Sequence, residues 1–188
     1  ESARIGANFA SIGAVVPARS HSSESIECNS PPTSFQRIQH AYVEVTSNGG
    51  TNFSSSDVIF SYFPPPAVTD VQPDHLPAVG GSVLHVLGTG FAHRALKHSL
   101  HRCAFVTSTA RVVVPATYVS TARLECMTPN GLHSGHAVVE VSNNAHDFTA
   151  AGRLITLVDT HLSTALPASG PIHGGTIVQL RGKDLVPG

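Results

Sequence analysis

Apolar and polar residues alternate along several short stretches of the chain, which is the period of a half-buried β-strand. In the stretch 80–91, this alternation turns Leu84 and Val86 toward a core and His85 toward solvent. A one-residue slip in a later stretch would bury Glu140, so the strand register is well specified. The other predicted core positions are Ala137, Val139 and Val141, with Ala41, Val43 and Val45 as their counterparts earlier in the chain.

The middle of the chain contains several predicted strands that are separated by glycine and proline turn signals. No segment keeps a helical period of 3.6 residues. Short strands with regular turns favour an antiparallel β-sandwich. The predicted strands are residues 67–72, 82–88, 102–106, 111–118, 121–127, 135–142 and 153–158.

A glycine-rich motif occurs twice, and its spacing indicates an internal repeat. Pro73 precedes Gly80 by seven residues, and Pro167 precedes Gly174 by seven, a shift of 167 − 73 = 94 residues. Gly80 and Gly88 are predicted to lie in turns that disfavour a Cβ atom. The turn positions predicted for the two copies are Pro73, Gly80, Gly81, Gly88, Gly90, Pro167, Gly174, Gly175 and Gly182.

The segment before these copies resembles the later part of the same repeat. Cys28-Asn29-Ser30-Pro31 matches Cys126-Met127-Thr128-Pro129 at an offset of 126 − 28 = 98 residues. We therefore expect a C-terminal part of a repeat at residues 1–63, a stiff proline joint at 64–66, a complete repeat at 67–159 and the start of another repeat at 160–188.

The two incomplete pieces are complementary. We expect the C-terminal piece of one copy to complete the N-terminal sandwich of the next. This completion would occur either between separate chains or in a continuous chain with an unresolved or cleaved loop.

The composition excludes some partners. Charged residues make up 12% of the 188 residues, and the net charge is −1. This gives no electrostatic footprint for nucleic acid or an acidic membrane surface. No apolar run reaches the roughly 18 residues of a membrane span. No signal peptide is recognised, and the chain starts inside a motif, so we interpret it as a piece of something longer.

The three cysteines, Cys28, Cys103 and Cys126, form no CxxC pair, so we expect no structural zinc site. In an oxidising compartment an odd count predicts one bridge and one remaining thiol. In a cytosolic protein the same residues would be three buried thiols. Asn52-Phe53-Ser54 is the single N-glycosylation sequon, and together with the scarcity of lysine it favours a secretory setting.

The histidines and carboxylates predict no catalytic, metal or cofactor site. His93, His98 and His101 are interpreted as solvated loop residues, since that loop lacks the carboxylate and further ligands of a metal site. His40 and His136 are interpreted as strand-end hydrogen-bonding residues. No nucleophile motif or phosphate-binding loop is present, so we expect no enzymatic activity.

Several motifs in order resemble the IPT/TIG family, an early-set immunoglobulin-like domain. The resemblance implies an all-β chain of tandem sandwiches, one complete and two partial, and a disulfide between Cys103 and Cys126. The first repeat departs from this pattern because the position matching Cys103 is near Ala3, which leaves Cys28 unpaired. The motifs are Pro73, Gly80-Gly81-Ser82, Gly88-Thr89-Gly90-Phe91, Cys103-Ala104-Phe105, Cys126-Met127-Thr128-Pro129 and Val138-Val139-Glu140-Val141.

Three functions fit a fold of this kind, because the fold alone does not determine function. The first is a spacer, adhesion element or filament building block in a secreted or cell-surface array. Its partners would be neighbouring repeats, further copies of the chain, or other extracellular proteins or glycans. The second is a Rel-type DNA-binding or dimerising module, for which Arg94, Lys97 and Arg102 are the nearest basic cluster. The third is a carbohydrate-binding accessory domain, against which the absence of Trp counts.

Overall fold

The computed structural model describes residues 5–34, 37–93 and 100–185. The chain separates into two compact units, Glu1–Pro64 and Pro65–Gly188. The described residues form fifteen β-strands and no α-helix. The chain is therefore all-β, as the alternation of apolar and polar residues predicts.

The first unit is an antiparallel sheet with the order β3-β2-β1-β4-β5. Its central strand in space, β1, pairs with β2 on one side and β4 on the other. The strands are β1 (Gly6–Phe9), β2 (Ala14–Ser20), β3 (Ile26–Cys28), β4 (Gln39–Thr46) and β5 (Ile59–Tyr62).

Strand β2 changes partner at a proline. Residues 14–17 pair with β1, whereas residues 18–20 pair with β3. Pro17 has no N–H group to donate. The next N–H, from Ala18, donates to the carbonyl oxygen of Ile5 at 3.0 Å. The sheet can therefore fold over along β2.

The core of the first unit is small. Ala7, Phe9 and Ala41 are its fully buried apolar residues among those described. An aromatic group extends it, because the ring centroids of Phe9 and Phe60 lie 5.6 Å apart and those of Phe60 and Tyr62 lie 5.0 Å apart.

The second unit contains a larger sheet with the order β6-β8-β11-β10-β9-β12-β13-β7. Its pairs are antiparallel except for β7 and β13, which are parallel. Strand β6 also contacts β12 and β13 across the core, so the sheet folds over into a sandwich. The strands are β6 (Ala67–Gln72), β7 (His75–Pro77), β8 (Val83–Thr89), β9 (Arg102–Val106), β10 (Arg111–Ser120), β11 (Arg123–Met127), β12 (Gly135–Ser142) and β13 (Arg153–Val158).

The sandwich bends along β10 in the way that the first unit bends along β2. Residues 111–115 pair with β9, and residues from Ala116 onward pair with β11. Pro115 stands at the change of partner, and the N–H of Ala116 donates to the carbonyl oxygen of His101 at 3.0 Å. In both units, therefore, a strand changes its pairing partner at a proline.

All the strands predicted from the sequence are present in the sandwich, and β7 is an additional short strand. Leu84 and Val86 are buried, and His85 lies on the outer face. There the Arg123 guanidinium contacts the His85 ring at 2.9 Å and donates to the Glu125 carboxylate at 2.8 Å. The predicted inner residues of β12 are also buried, namely Ala137, Val139 and Val141.

The equivalent prediction for the first unit is partly wrong. Ala41 is buried, but Val43 is half-buried and Val45 is exposed. The alternation identifies the correct face of β4. It does not report whether other strands cover that face.

The chain continues into a separate two-stranded sheet, β14 (His161–Leu166) and β15 (Gln179–Lys183). We call residues 160–185 the C-terminal hairpin. Its register repeats that of β6 and β8, since Leu162 lies opposite Gly182 as Val68 lies opposite Gly88. Both pairs also contain a register shift just after this position.

The predicted turn residues fall into two groups. The Gly-Gly pairs and Gly90 occupy backbone conformations with positive φ, for example 84° at Gly80, that favour glycine. Both prolines follow cis peptide bonds. The predicted turn is wrong for Gly88 and Gly182, which lie within β8 and β15, but the expectation that Gly88 disfavours a Cβ atom is confirmed. A Cβ atom at these positions would meet the backbone carbonyl of Ala67 or His161, so a close approach of the neighbouring strand explains the glycines.

Candidate interaction surfaces

The five strands of the first unit correspond one by one to β9–β13 of the sandwich. In β1, Ala7 lies opposite Val45, and in β9, Cys103 lies opposite Val141. Ala7 therefore occupies the position of Cys103, at an offset of 103 − 7 = 96 residues. The predicted counterpart, Ala3, was wrong by four residues and lies outside the described residues.

Cys103 and Cys126 form a disulfide, and their Cα atoms lie 6.3 Å apart. Strand β10 lies between them, with Val114 opposite Cys103 and Ala116 opposite Cys126. The bond therefore joins β9 and β11 inside the fold of the sheet.

The first unit cannot form the equivalent bond because alanine replaces the first cysteine. Cys28 is a free, half-buried thiol on β3. Burial raises the pKa of the Cys28 thiol, and the negative charge of Glu27 raises it further. The thiol is therefore held mainly in its protonated form at neutral pH.

The first unit differs from the sandwich at its edges. Strand β11 pairs with both β10 and β8, but its counterpart β3 pairs with β2 alone within the described part of the first unit. Strand β13 pairs with β12 and β7, whereas its counterpart β5 pairs with β4 alone there. No counterparts of β6, β7 and β8 occur among the described residues of the first unit.

Some apolar side chains of the first unit are exposed, although their counterparts in the sandwich are buried. Leu124 of the sandwich is 0% exposed, whereas its counterpart Ile26 is 38% exposed. Val141 is 0% exposed and its counterpart Val45 is 41% exposed. Phe60 is likewise exposed, although its counterpart in β13 is buried. We call Ile26, Val45 and Phe60 the open face of the first unit.

The C-terminal hairpin also exposes apolar side chains that are buried in the sandwich. Its residues correspond to β6 and β8, whose inner side chains Leu84 and Val86 are fully buried. The matching side chains of the hairpin, Val178 and Leu180, are exposed. A buried sandwich strand thus has an exposed copy near the end of the described chain.

The predicted loop histidines do not share one environment. His93 is exposed as predicted, and His98 lies outside the described residues. The prediction for His101 was wrong, because this residue is buried and its ring stacks obliquely on Tyr118 at 5.4 Å between centroids. Its Nε2 atom has no hydrogen-bond partner among the described residues. Alternation could have found it, since His101 shares the inward face of Cys103 and Phe105.

Acidification should destabilise the sandwich through His101. Burial lowers the pKa of His101 below its ordinary value of 6.5, and the Arg102 charge lowers it further. A backbone hydrogen bond at Ala92 raises the pKa and so opposes part of this shift. The unfolded chain therefore binds a proton first, so stability is present above about pH 6.5 and falls as the pH drops toward the folded pKa.

Urea unfolding at about pH 7.5 and about pH 5.5 checks this expectation. His101→Gln should reduce the loss of stability between the two pH values, and His136→Gln, at an exposed histidine, should leave it unchanged. An equal pH dependence in all three proteins would contradict the assignment.

The remaining predicted site residues are exposed, make hydrogen bonds or lie outside the described residues. Asn52 lies exposed in the loop between β4 and β5. Arg94 and Lys97 lie outside the described residues, and Arg102 donates to the carbonyl oxygen of His101 at 2.8 Å. His40 contacts Ser61 at 2.8 Å at a strand end.

The described residues contain neither a metal-binding cluster nor a membrane-spanning helix. Among residues 5–34, 37–93 and 100–185, no three acidic, histidine or cysteine side chains cluster in a way that could hold a metal ion. The same residues include no helix with the length and apolar character needed to cross a membrane.

A folded-over, mainly antiparallel sheet with a disulfide between two of its strands is the architecture of an immunoglobulin-like β-sandwich. Residues 66–154 match the model of the IPT/TIG domain family. This segment of the chain is therefore an IPT/TIG domain.

Two solved structures of the Plexin A4 full extracellular region resemble the chain. One contains domains 1 to 8, with 16% identity and a TM-score of 0.43, and the other contains domains 1 to 10, with 16% identity and a TM-score of 0.44. Each alignment covers 95% of this chain but 24% and 20% of the respective plexin chain. No curated protein matches the sequence.

Proposed function

We propose that the chain is a structural and interaction segment of a tandem IPT/TIG array in a secreted or cell-surface protein. The supporting observation is that the first unit and the C-terminal hairpin each repeat a different part of the strand pairing of the sandwich. The first unit repeats the order β9–β13, and the C-terminal hairpin repeats the register of β6 and β8. The first unit is then the closing part of one repeat, and the hairpin is the opening part of another.

An extracellular setting is supported by the covalent chemistry of the chain. Disulfides persist in oxidising compartments and are rare in the cytosol. The bond between Cys103 and Cys126 therefore favours secretion. Asn52 supports the same setting because its sequon is exposed in a loop, where a glycan can be attached.

The proposed role is that of a spacer, adhesion element or filament building block. Pro64, Pro65 and Pro66 form a short segment without backbone donors, which is suited to a stiff connection between repeats. The surface carries few charges, so contacts with neighbouring repeats or other extracellular proteins would depend mainly on apolar and hydrogen-bonding groups.

Secretion from cultured animal cells tests this function. The chain, fused to a cleavable secretion signal, should appear in the medium with Cys103 and Cys126 oxidised and with a glycan that an endoglycosidase removes. Asn52→Gln should abolish the glycan, and Asn130→Gln, outside any sequon, should retain it.

The same preparation separates the alternative functions. Titration with duplex DNA or with a linear maltooligosaccharide should give no saturable binding. Retention inside the cell with reduced cysteines, or saturable binding of either ligand, would contradict the proposal.

A further inference from the structure

We propose that Asn130 is a site of spontaneous deamidation, at which the side-chain amide becomes a carboxylate without an enzyme. The chain contains two Asn-Gly pairs, Asn48-Gly49 and Asn130-Gly131. Glycine has no Cβ atom to hinder the approach of its backbone nitrogen to the preceding side chain, so both sequences are suited to the reaction. The structure distinguishes the two pairs, although their local sequences are alike.

The reaction is an internal substitution followed by hydrolysis. The backbone nitrogen of Gly131 attacks the Cγ atom of Asn130, a new N–Cγ bond forms, and the Cγ–Nδ2 bond breaks. The proton of the Gly131 N–H group leaves with Nδ2 as ammonia. Water then opens the succinimide ring at either carbonyl group and leaves aspartate or isoaspartate. One amide and one water molecule thus give one carboxylic acid and one ammonia.

The Asn130 side chain is free to make this approach. Asn130 and Gly131 form an exposed turn between β11 and β12. Among the described residues, no group forms a hydrogen bond with the Asn130 amide. Rotation of the amide toward the Gly131 nitrogen therefore breaks no hydrogen bond within the described part of the protein.

The Asn48 side chain is held in place. Its Oδ1 atom accepts hydrogen bonds from the Thr46 hydroxyl at 2.9 Å and from the N–H group of Asn52 at 3.0 Å. The Thr46 hydroxyl oxygen also accepts from the N–H group of Gly50 at 3.0 Å, which fixes the loop around it. Movement of the Asn48 amide toward the Gly49 nitrogen has to break or distort these bonds. Two hydrogen bonds of ordinary strength correspond to a rate difference of at least about tenfold.

Exposure and backbone conformation do not distinguish the two pairs. Asn48 and Asn130 are both exposed. The φ angles of Gly49 and Gly131 are similar, at 73° and 81°. The hydrogen bonding of the asparagine amide is therefore the difference on which the contrast in rate depends.

Deamidation would change one end of the sandwich. Asn130 and Asp159 line the same open hollow, so a carboxylate at residue 130 adds a second negative charge there. Isoaspartate also adds one carbon to the main chain in a turn that lies against Gly80, where a Cβ atom would clash with the Pro129 carbonyl group. Because the reaction releases ammonia and is slow, the charge at this end of the sandwich would record the age of the molecule.

Incubation of the full chain at neutral pH tests the inference. Proteolysis after increasing times, followed by mass spectrometry, measures the fraction of each Asn-Gly pair whose amide has become a carboxyl group. In the folded protein, Asn130 should react at least about tenfold faster than Asn48. In concentrated urea the two pairs should react at similar rates, because the hydrogen bonds of the folded loop are lost.

Two variants at Thr46 test the cause of the contrast. Thr46→Val removes the hydroxyl group and should accelerate the reaction at Asn48, whereas Thr46→Ser retains it and should leave that reaction slow. The rate at Asn130 in the same molecules is the internal reference and should not change. Asn52→Gln, which cannot carry a glycan, should show the same order of rates, so that shielding by a glycan is tested separately.

Two results would overturn the inference. One is a reaction at Asn48 that is as fast as the reaction at Asn130 in the folded chain. The other is an unchanged rate at Asn48 in Thr46→Val. These rates do not depend on the setting or the partners of the chain, so this inference and the proposed function can fail separately.

Discussion

Leu84→Ala is expected to destabilise the central sandwich by about 2–5 kcal/mol. Leu84 is 0% exposed and lies on β8 opposite Cys126, within a core that also includes Leu124 and Val139. Removing its side chain leaves a cavity that close-packed neighbours fill only in part. Urea unfolding of the full chain, followed by circular dichroism, measures the change in the free energy of unfolding.

Val83→Ala is the matched control. Val83 is the preceding residue of the same strand and is 47% exposed, so its truncation should cost clearly less, under about 1 kcal/mol. Equal losses at the two positions would show that the inner and outer faces of β8 had been exchanged.

Removal of the Cys103–Cys126 disulfide is expected to cost about 3 kcal/mol. The bond closes a loop with a sequence separation of 23 residues, and the chain-entropy relation gives this magnitude for such a loop. The comparison uses the double variant Cys103→Ser/Cys126→Ser, because a single replacement would leave a reactive thiol behind.

Cys28→Ser is the control for this comparison, since the Cys28 thiol is free. It should change the free energy of unfolding by less than about 1 kcal/mol. A comparable loss in the control, or three titratable thiols in the non-reduced protein, would contradict the assignment of the bond.

The sequence predicts the sandwich well because two local signals agree there. Alternation sets the inner face of β8 at Leu84 and Val86, and the Gly-Gly pair sets the start of the strand. The sequence does not predict β7, because a strand of three residues that ends in proline is too short to show alternation of apolar and polar residues. Its pairing with β13 depends on contacts distant in sequence.

The errors have physical causes that lie in tertiary structure. Val45 has the pattern of Val141 but is exposed, because the described part of the first unit contains no counterparts of β6, β7 and β8 to cover it. The sequence predicts a turn at Gly88 because a glycine between strands usually marks one. Its role is instead to admit the carbonyl group of Ala67 from the neighbouring strand.

The misplaced counterpart of Cys103 has a similar cause. Phe9 and Ala14 are strand partners five residues apart, whereas Phe105 and Val112 are partners seven residues apart. The connection is therefore two residues shorter in the first unit, and the repeat offset changes from 96 in β1 to 98 in β2. Strand pairing reveals this change, but the sequence alone does not place it.

Hydrogen exchange measured by mass spectrometry tests the central claim, that residues 66–154 form one complete IPT/TIG sandwich. Strands β8, β9, β11 and β12 each pair with a neighbour on both sides, so their amide groups should exchange slowly. The exposed loop around Asn52 should exchange rapidly and serves as the control. Rapid exchange throughout the four strands, comparable to that of the loop, would contradict the account.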